Sequence, residues 1–444
     1  MAESEIAGAR SDRVEVAGAA VPAGVAEPTA PRPRVVVVAE AWGANWGERA
    51  AATRLCAGAL ALRASVSIVS IEDRSNERYR QPRVRYDGVF PVYSVAAPTG
   101  RGHAIGARGP RDLPLHEDLI RASLMRQAGA IVPEVAAKGI LSSASLPSTD
   151  ALVTTMSLEP DAVVLAGPST FWLGDALPVG ADRPRVVVLP LCGDDPVLSS
   201  MAFQAVLGPM DAIGAFSGAE SDRIARLLGD DADSKLCRLR IALPVNRLAA
   251  GAVMAGLSPF GKYVLVISGF DDDPAGGRCP SHEFLRNVFG QLSIAEVRRA
   301  GWVVTAGIGR RFDMTWAPTR MNLWRLMAGA EVTVDVRSQG PIGRETIESL
   351  LFGTPVVVPD GSVAAEHAKE SNGGLWYRDA GEMTDCVRAL LDDDVLRSQF
   401  GSGGEEWAER NHGDTDGFVE TATRLVLGPP PEISTAPPPM AQPA

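Results

Sequence analysis

The residues with the most chemical promise lie between Ser338 and Asp360, in SQGPIGRETIESLLFGTPVVVPD. Gly340 and Gly343 let a ligand approach the backbone, Arg344 adds a cation, and Glu348 follows one helical turn later, facing the same mouth. Amides in the first turn of a helix lack intrahelical partners and point outward, so a glycine loop that opens a helix suits a phosphate. An arginine offers such a group a planar fork of donors, and a glutamate accepts hydrogen bonds from a sugar hydroxyl. An ordinary βα loop with solvated charges has the same composition, and from these residues alone both readings stand.

These residues need a frame to hold them. Val332, Val334 and Val336 form a β-type run before the loop; a short helix pattern then runs from Gly343 to a glycine stop at Gly353, and Val356, Val357 and Val358 form a second strand closed by Pro359. Strand, glycine loop, helix and strand make one βαβ step, which predicts parallel pairing. Arg34 to Glu40 is apolar nearly throughout, as expected of a strand covered on both faces. Gly47-Glu48-Arg49 opens a helix through Leu62, and Ser65 to Ile71 is the next strand. Further strands are expected at Pro160–Leu165, Arg185–Leu191, Tyr263–Ser268 and Trp302–Ala306. Ser217 should cap a helix ending at Leu228, with Glu220 completing a capping box. Residues 77–109 read as irregular, and helices are expected at Asp379–Leu391, Asp394–Phe400 and Glu405–Leu427.

Composition excludes several classes. The chain has 444 residues and a net charge of −11, so no basic excess exists to displace the counterions of a nucleic acid. Cys56, Cys192, Cys237, Cys279 and Cys386 show no metal-ligand spacing, which fits reduced thiols in a cytoplasm. No apolar run approaches a membrane span and no secretory pattern opens the chain, which leaves association with the inner membrane face as the only membrane contact still open. Gly43 and Gly47 do not make the dinucleotide fingerprint. Asp271-Asp272-Asp273 has the chemistry of a divalent-cation loop, but a solvated acidic turn is the preferred reading, so no metal is expected.

The stretch from Gly340 to Val357 resembles the donor segment of retaining GT-B glycosyltransferases of family 4, written E-x-F-G-x-x-x-x-E and closed by G-T-P-V-V. Gly343 matches the family glycine, Glu348 the second glutamate and Gly353-Thr354-Pro355-Val356-Val357 the closing strand, while the first glutamate falls on Gly340. The resemblance implies an α/β, GT-B architecture: two Rossmann-like, doubly wound parallel-sheet domains facing a central cleft, with strands at Asp211–Ser217 and Gly373–Tyr377 and a strand and turn at Leu239–Val245. The divisions it implies are a disordered leader at 1–33, an acceptor-side domain at 34–248, a linker at 249–261, a donor domain at 262–404, a last helix at 405–427 crossing back to the first domain, and a proline-rich tail at 428–444.

The implied activity is transfer of a sugar from a nucleotide-diphosphate sugar to the hydroxyl of a glycan, lipid or small molecule, with retention, without metal and with no cofactor. On that resemblance Asp194, Arg278 and Arg344 are the catalytic candidates, and Gly269, Arg310, Gly340, Ile342, Gly343 and Glu348 hold the donor. Gly47 and His103 stand on the acceptor side, and Arg310 with Arg311 competes with Arg278 for the diphosphate. Besides Gly340, the chain departs from the family at Phe270, where an arginine is usual, and at Leu191-Cys192-Gly193, which supplies no histidine. These departures support a second reading, a catalytically degenerate GT-B-like binding or scaffold subunit of a glycan-synthesis system. A metal-dependent GT-A-like enzyme built on the three aspartates is the third.

Overall fold

The computed structural model describes residues 31–40, 42, 48–72, 83–96, 149–167, 170–171, 173–174, 177, 183–193, 207–243, 263–267, 302–306, 320–336 and 340–429. Two sheets organise them. The first contains β1 (Arg34–Glu40), β2 (Ser65–Glu72), β3 (Arg83–Asp87), β4 (Phe90–Ala96), β5 (Ala162–Ala166), β6 (Arg185–Leu189), β7 (Ala212–Ala215) and β8 (Leu236–Arg238). Their order is β3-β4-β2-β1-β5-β6-β7-β8, parallel except where β3 runs against β4. The second contains β9 (Tyr263–Ile267), β10 (Trp302–Ala306), β11 (Val332–Asp335), β12 (Val356–Pro359) and β13 (Gly374–Tyr377) in the order β10-β9-β11-β12-β13, all parallel.

The apolar run of β1 is explained by cover on both faces. Val35 and Val37 enter one buried cluster and Val36 and Val38 another, as the two-residue period of a strand requires. The cluster on the Val35 side continues into the second sheet's layer, through Ile342, Ile347, Leu350 and Val358, so one core runs beneath both sheets. Helix α1 (Glu48–Ala61) covers β1 and β2, and α2 (Thr149–Ser157) packs on β2 and β4. Next come α3 (Gly218–Leu228), the short α4 (Ala232–Lys235), α5 (Arg320–Gly329), α6 (Arg344–Leu351), α7 (Val363–Ser371), α8 (Ala380–Asp392), α9 (Asp394–His412) and α10 (Thr415–Leu427). Helix α10 lies on β5, β6, β7 and α1, and the Leu425 carbonyl accepts a 3.3 Å bond from Arg185 Nε. No helix among the described residues is long and apolar enough to cross a membrane.

The structure departs from expectation in three places. A hairpin, β3 to β4, occupies 83–96 inside the stretch expected to be irregular; Gly88 turns it at φ 60°, and Val92 and Val95 are buried, one on each face of the sheet. The strand expected at Leu239–Val245 falls earlier, at Leu236–Arg238. The final helices divide at Gly413 rather than near Gly401, so the helix expected to start at Glu405 is two elements. Glycines at 401, 403 and 404 suggest a break because glycine is a poor helix former. Their purpose is close approach: a Cβ at Gly404 would lie 2.6 Å from Leu350 Cδ2, and one at Gly401 would collide with the Gly353 carbonyl. Helix α9 therefore packs tightly on α6. The expected linker at 249–261 lies outside the described residues.

Candidate functional site

In open α/β sheets, ligands bind outside the carboxyl ends of strands where the strand order reverses. The chain leaves β1 for β2 on one side and later returns to its other side with β5, and it treats β9, β10 and β11 the same way. The glycine loop follows β11. A cleft with an empty volume of about 190 Å³ opens there, lined by Glu48, Asp335, Gly340, Gly343, Ser362, Val363 and Ala364.

Gly343 is the N-cap of α6 and sits at φ 57°, ψ 41°, the left-handed region that glycine enters without strain. That turn presents the amides of Ile342 and Gly343 to the cleft. Both donate to one oxygen, Oε2 of Glu48, at 3.1 Å each. Glu48 belongs to the first turn of α1, 295 residues before Gly343 in the chain. Its approach depends on Gly340, since a Cβ there would lie 2.5 Å from Oε2 and 2.8 Å from Oε1. Behind the loop, the Ile342 carbonyl is held by His367 Nε2 at 2.9 Å. A carbonyl only accepts, so this ring nitrogen carries the proton. Burial pushes the His367 imidazolium down, which keeps the ring neutral.

The loop after β6 forms the opposing lip. A Cβ at Gly193 would meet the Gly340 carbonyl and Pro341 Cα, both at 3.1 Å. Glu220, fully buried, fastens this lip: it accepts from the amides of Cys192 at 2.9 Å, Gly193 at 3.2 Å and Phe216 at 2.9 Å. Burial pushes its carboxyl up to about 7, against the pull of those amides and the Arg49 charge. Half of the expected capping box forms, with Ser217 Oγ accepting from the Glu220 amide at 3.1 Å. The Glu220 carboxylate does not return to the Ser217 amide; it reaches past it to Phe216 and the neighbouring loop.

Helix α6 is buried along nearly its whole length. Glu348 is fully buried and accepts from Arg344 Nε at 2.9 Å, so the pair shares one helix face. A second carboxylate contact joins the sheets' layers away from the cleft. Glu366 of α7 accepts from the amides of Gly218 and Ala219 at the start of α3, and from Arg238 Nη2 at 2.7 Å.

No protein-family model matches the chain, and no curated protein matches it. Solved structures do. The sucrose-phosphate synthase of Thermosynechococcus elongatus superposes with a TM-score of 0.58 at 14% identity, covering 89% of this chain and 98% of that one. The trehalose 6-phosphate synthase of Burkholderia multivorans gives 0.54 at 13% identity, with 89% and 99% covered. Anabaena HepE, solved with UDP and glucose, gives 0.54 at 12% identity, with 88% and 99% covered. The chain has the GT-B fold.

Within that GT-B frame the structure brings Gly340, Ile342, Gly343, Arg344 and Glu348 together on one loop and the helix it opens. Gly47, His103, Asp194, Gly269, Arg278 and Arg310 lie outside the described residues, as do Asp271, Asp272 and Asp273. Among the described residues no group of acidic, histidine or cysteine side chains is arranged to hold a metal ion. Three site residues escaped the sequence reading: Glu48, Glu220 and His367. Each has an ordinary local reading, namely acidic first turn, capping partner and lone histidine, and each acts across the chain instead. Trp42 escaped it too. Its amide donates to Ser70 Oγ and its ring nitrogen to Asp87, both at 2.8 Å, which ties Trp42 to β2 and β3.

Proposed function

We propose that this chain is a glycosyltransferase, moving a sugar from a nucleotide-diphosphate donor to an acceptor hydroxyl, with retention and without a metal ion. The observation that carries the reading is the pair of Ile342 and Gly343 amides at the N-terminus of α6. They face a cleft at the carboxyl ends of both sheets and already grip a carboxylate oxygen. HepE, which shares the fold, was solved with UDP and glucose, and the proposal carries a donor of that class to this cleft.

In such a reaction the bond from the anomeric carbon to the diphosphate breaks with both electrons leaving on a phosphate oxygen, the acceptor oxygen forms the new bond to that carbon, and its hydroxyl proton is released. The protein's task is to stabilise that charge with fixed donors. The positive end of α6 points into the cleft. Glu348 holds Arg344 by Nε, which leaves the guanidinium fork an oriented group rather than a free chain. Arg278 and Arg310 complete the diphosphate contacts in this proposal, with Gly269 beside them, Asp194 near the transferred sugar, and Gly47 and His103 toward the acceptor.

The scaffold reading keeps one supporting observation: the Ile342 and Gly343 amides already hold the Glu48 carboxylate. Calorimetric titration of UDP, GDP and ADP separates the two. Wild type should bind one of them, and Arg344→Lys, which keeps a cation beside Glu348 but loses the fork, should weaken that binding at least tenfold, about 1.4 kcal/mol. Binding of none would remove the donor reading and favour the scaffold.

A further inference from the structure

We propose that His367 is a positioning residue for the donor's diphosphate, holding the peptide between Ile342 and Gly343 with its N–H toward the cleft; this rests on the cleft being the donor site. His367 lies on α7, whose first turn lines that cleft through Val363 and Ala364. Its Nε2–H donates to the Ile342 carbonyl at 2.9 Å. In a planar trans peptide the carbonyl and the following N–H point in opposite directions. A donor that holds the carbonyl from behind therefore aims the Gly343 amide forward, where it meets Glu48 Oε2 at 3.1 Å. When the nucleotide sugar binds, a phosphate oxygen takes that place from the carboxylate.

Glycine alone does not set this orientation. Gly343 sits at φ 57°, but glycine enters negative φ as readily, and a flipped peptide would present an oxygen to the phosphate. The His367 ring is placed to decide between the two. It is 1% exposed and packs against Trp407 at 5.4 Å and His412 at 5.7 Å, which fixes its plane. A Cβ at Gly343 would lie 3.0 Å from its Cδ2, so the loop rests directly on the imidazole. Among the described residues its Nδ1 has no hydrogen-bond partner, and the polar contact of the ring is the one to Ile342. A buried carbonyl deprived of that donor gains by turning toward solvent in the cleft. The bond also polarises the peptide, which makes the Gly343 N–H a stronger donor to an anion.

The test follows two readouts in wild type, His367→Gln and His367→Leu, with thermal melts to verify folding. Glutamine brings an amide N–H near the position of Nε2, and leucine donates nothing. Both replace the ring beside Trp407 with a flexible chain, so a loss of packing alone would affect the two alike. UDP, GDP, ADP and inorganic pyrophosphate are titrated calorimetrically. Whichever of them wild type binds, His367→Gln should bind within about threefold and His367→Leu at least tenfold more weakly, about 1.4 kcal/mol. Isoleucine labelled with carbon-13 at its carbonyl and glycine labelled with nitrogen-15 mark the four Ile–Gly pairs of the sequence for NMR, and Ile342→Val identifies the Gly343 signal by deleting it. That signal should keep its place in His367→Gln and shift in His367→Leu. If His367→Leu does not fold, His367→Asn, whose shorter amide falls short of the carbonyl, takes its part in both readouts. Equal ligand binding by wild type and the variant without the donor, equal losses in that variant and His367→Gln, or an unmoved Gly343 signal each overturn the inference and leave the donor site standing. If wild type binds none of the four probes, the donor site falls and the positioning role falls with it.

Discussion

The buried histidine at the end of α9 should make the fold acid-labile. His412 Nδ1 donates to the Ile241 carbonyl at 2.8 Å, and its ring packs against Trp407 at 5.2 Å and His367 at 5.7 Å. Burial, then the neighbouring His367, pushes it down from 6.5 to about 3. Below pH 6.5 the unfolded chain therefore binds a proton that the fold refuses. The contribution is whole above 6.5 and is lost as pH falls toward 3. At 1.36 kcal/mol per pH unit the full span is about 5 kcal/mol, of which about 2 kcal/mol falls between pH 7 and pH 5. The perturbation is His412→Asn, whose amide keeps an N–H near the place of Nδ1 for Ile241. Its smaller volume leaves a gap beside Trp407 that costs the same at both pH values. Urea unfolding should show wild type losing about 2 kcal/mol more than the variant between pH 7 and pH 5. Equal pH responses in the two proteins would refute the linkage.

Two further outcomes follow from the packing. Glu220→Gln should act in the opposite pH direction, because the folded carboxyl is raised from 4.5 to about 7. Its contribution is present below 4.5 and lost as pH rises through 7, so urea unfolding should show wild type losing about 2.5 kcal/mol more than the variant between pH 5 and pH 8. Gly401→Ala should lower stability by about 2 kcal/mol in a thermal melt, even though alanine is the better helix former by about 1 kcal/mol, because its methyl meets the Gly353 carbonyl. A stabilised Gly401→Ala protein would show that α9 and α6 are less tightly packed than described.

What the sequence disclosed depended on the range of the forces involved. The apolar run of β1 and the Gly343 entrance of α6 are local facts, written in neighbouring residues, and both were legible. So was Ser217, whose capping bond spans three residues. The glycines of α9 were misread because their reason is Leu350 and Gly353, some 50 residues away and invisible to a propensity argument. The hairpin at 83–96 was hidden by charged residues on an exposed edge strand. Glu48 was read as the opening of a helix, which it is; only the meeting of two sheets shows it against Ile342 and Gly343. Arg344 and Glu348 were expected at the cleft mouth. They are on the right helix, but Glu348 is fully buried against Arg344 one helical turn away rather than open to the mouth.

Helix α10 has a consequence for how the protein is born. It covers β5, β6 and β7, and it meets α1, yet it is synthesised roughly 170 residues after the first sheet's last described residue. At the usual 5–20 residues per second, a ribosome needs about 10–30 s to deliver it. Throughout that interval the first sheet has emerged with an apolar face uncovered, including Val187 and Ala212. The nascent chain thus waits for α10, and until it arrives that sheet surface is open to mispairing and aggregation.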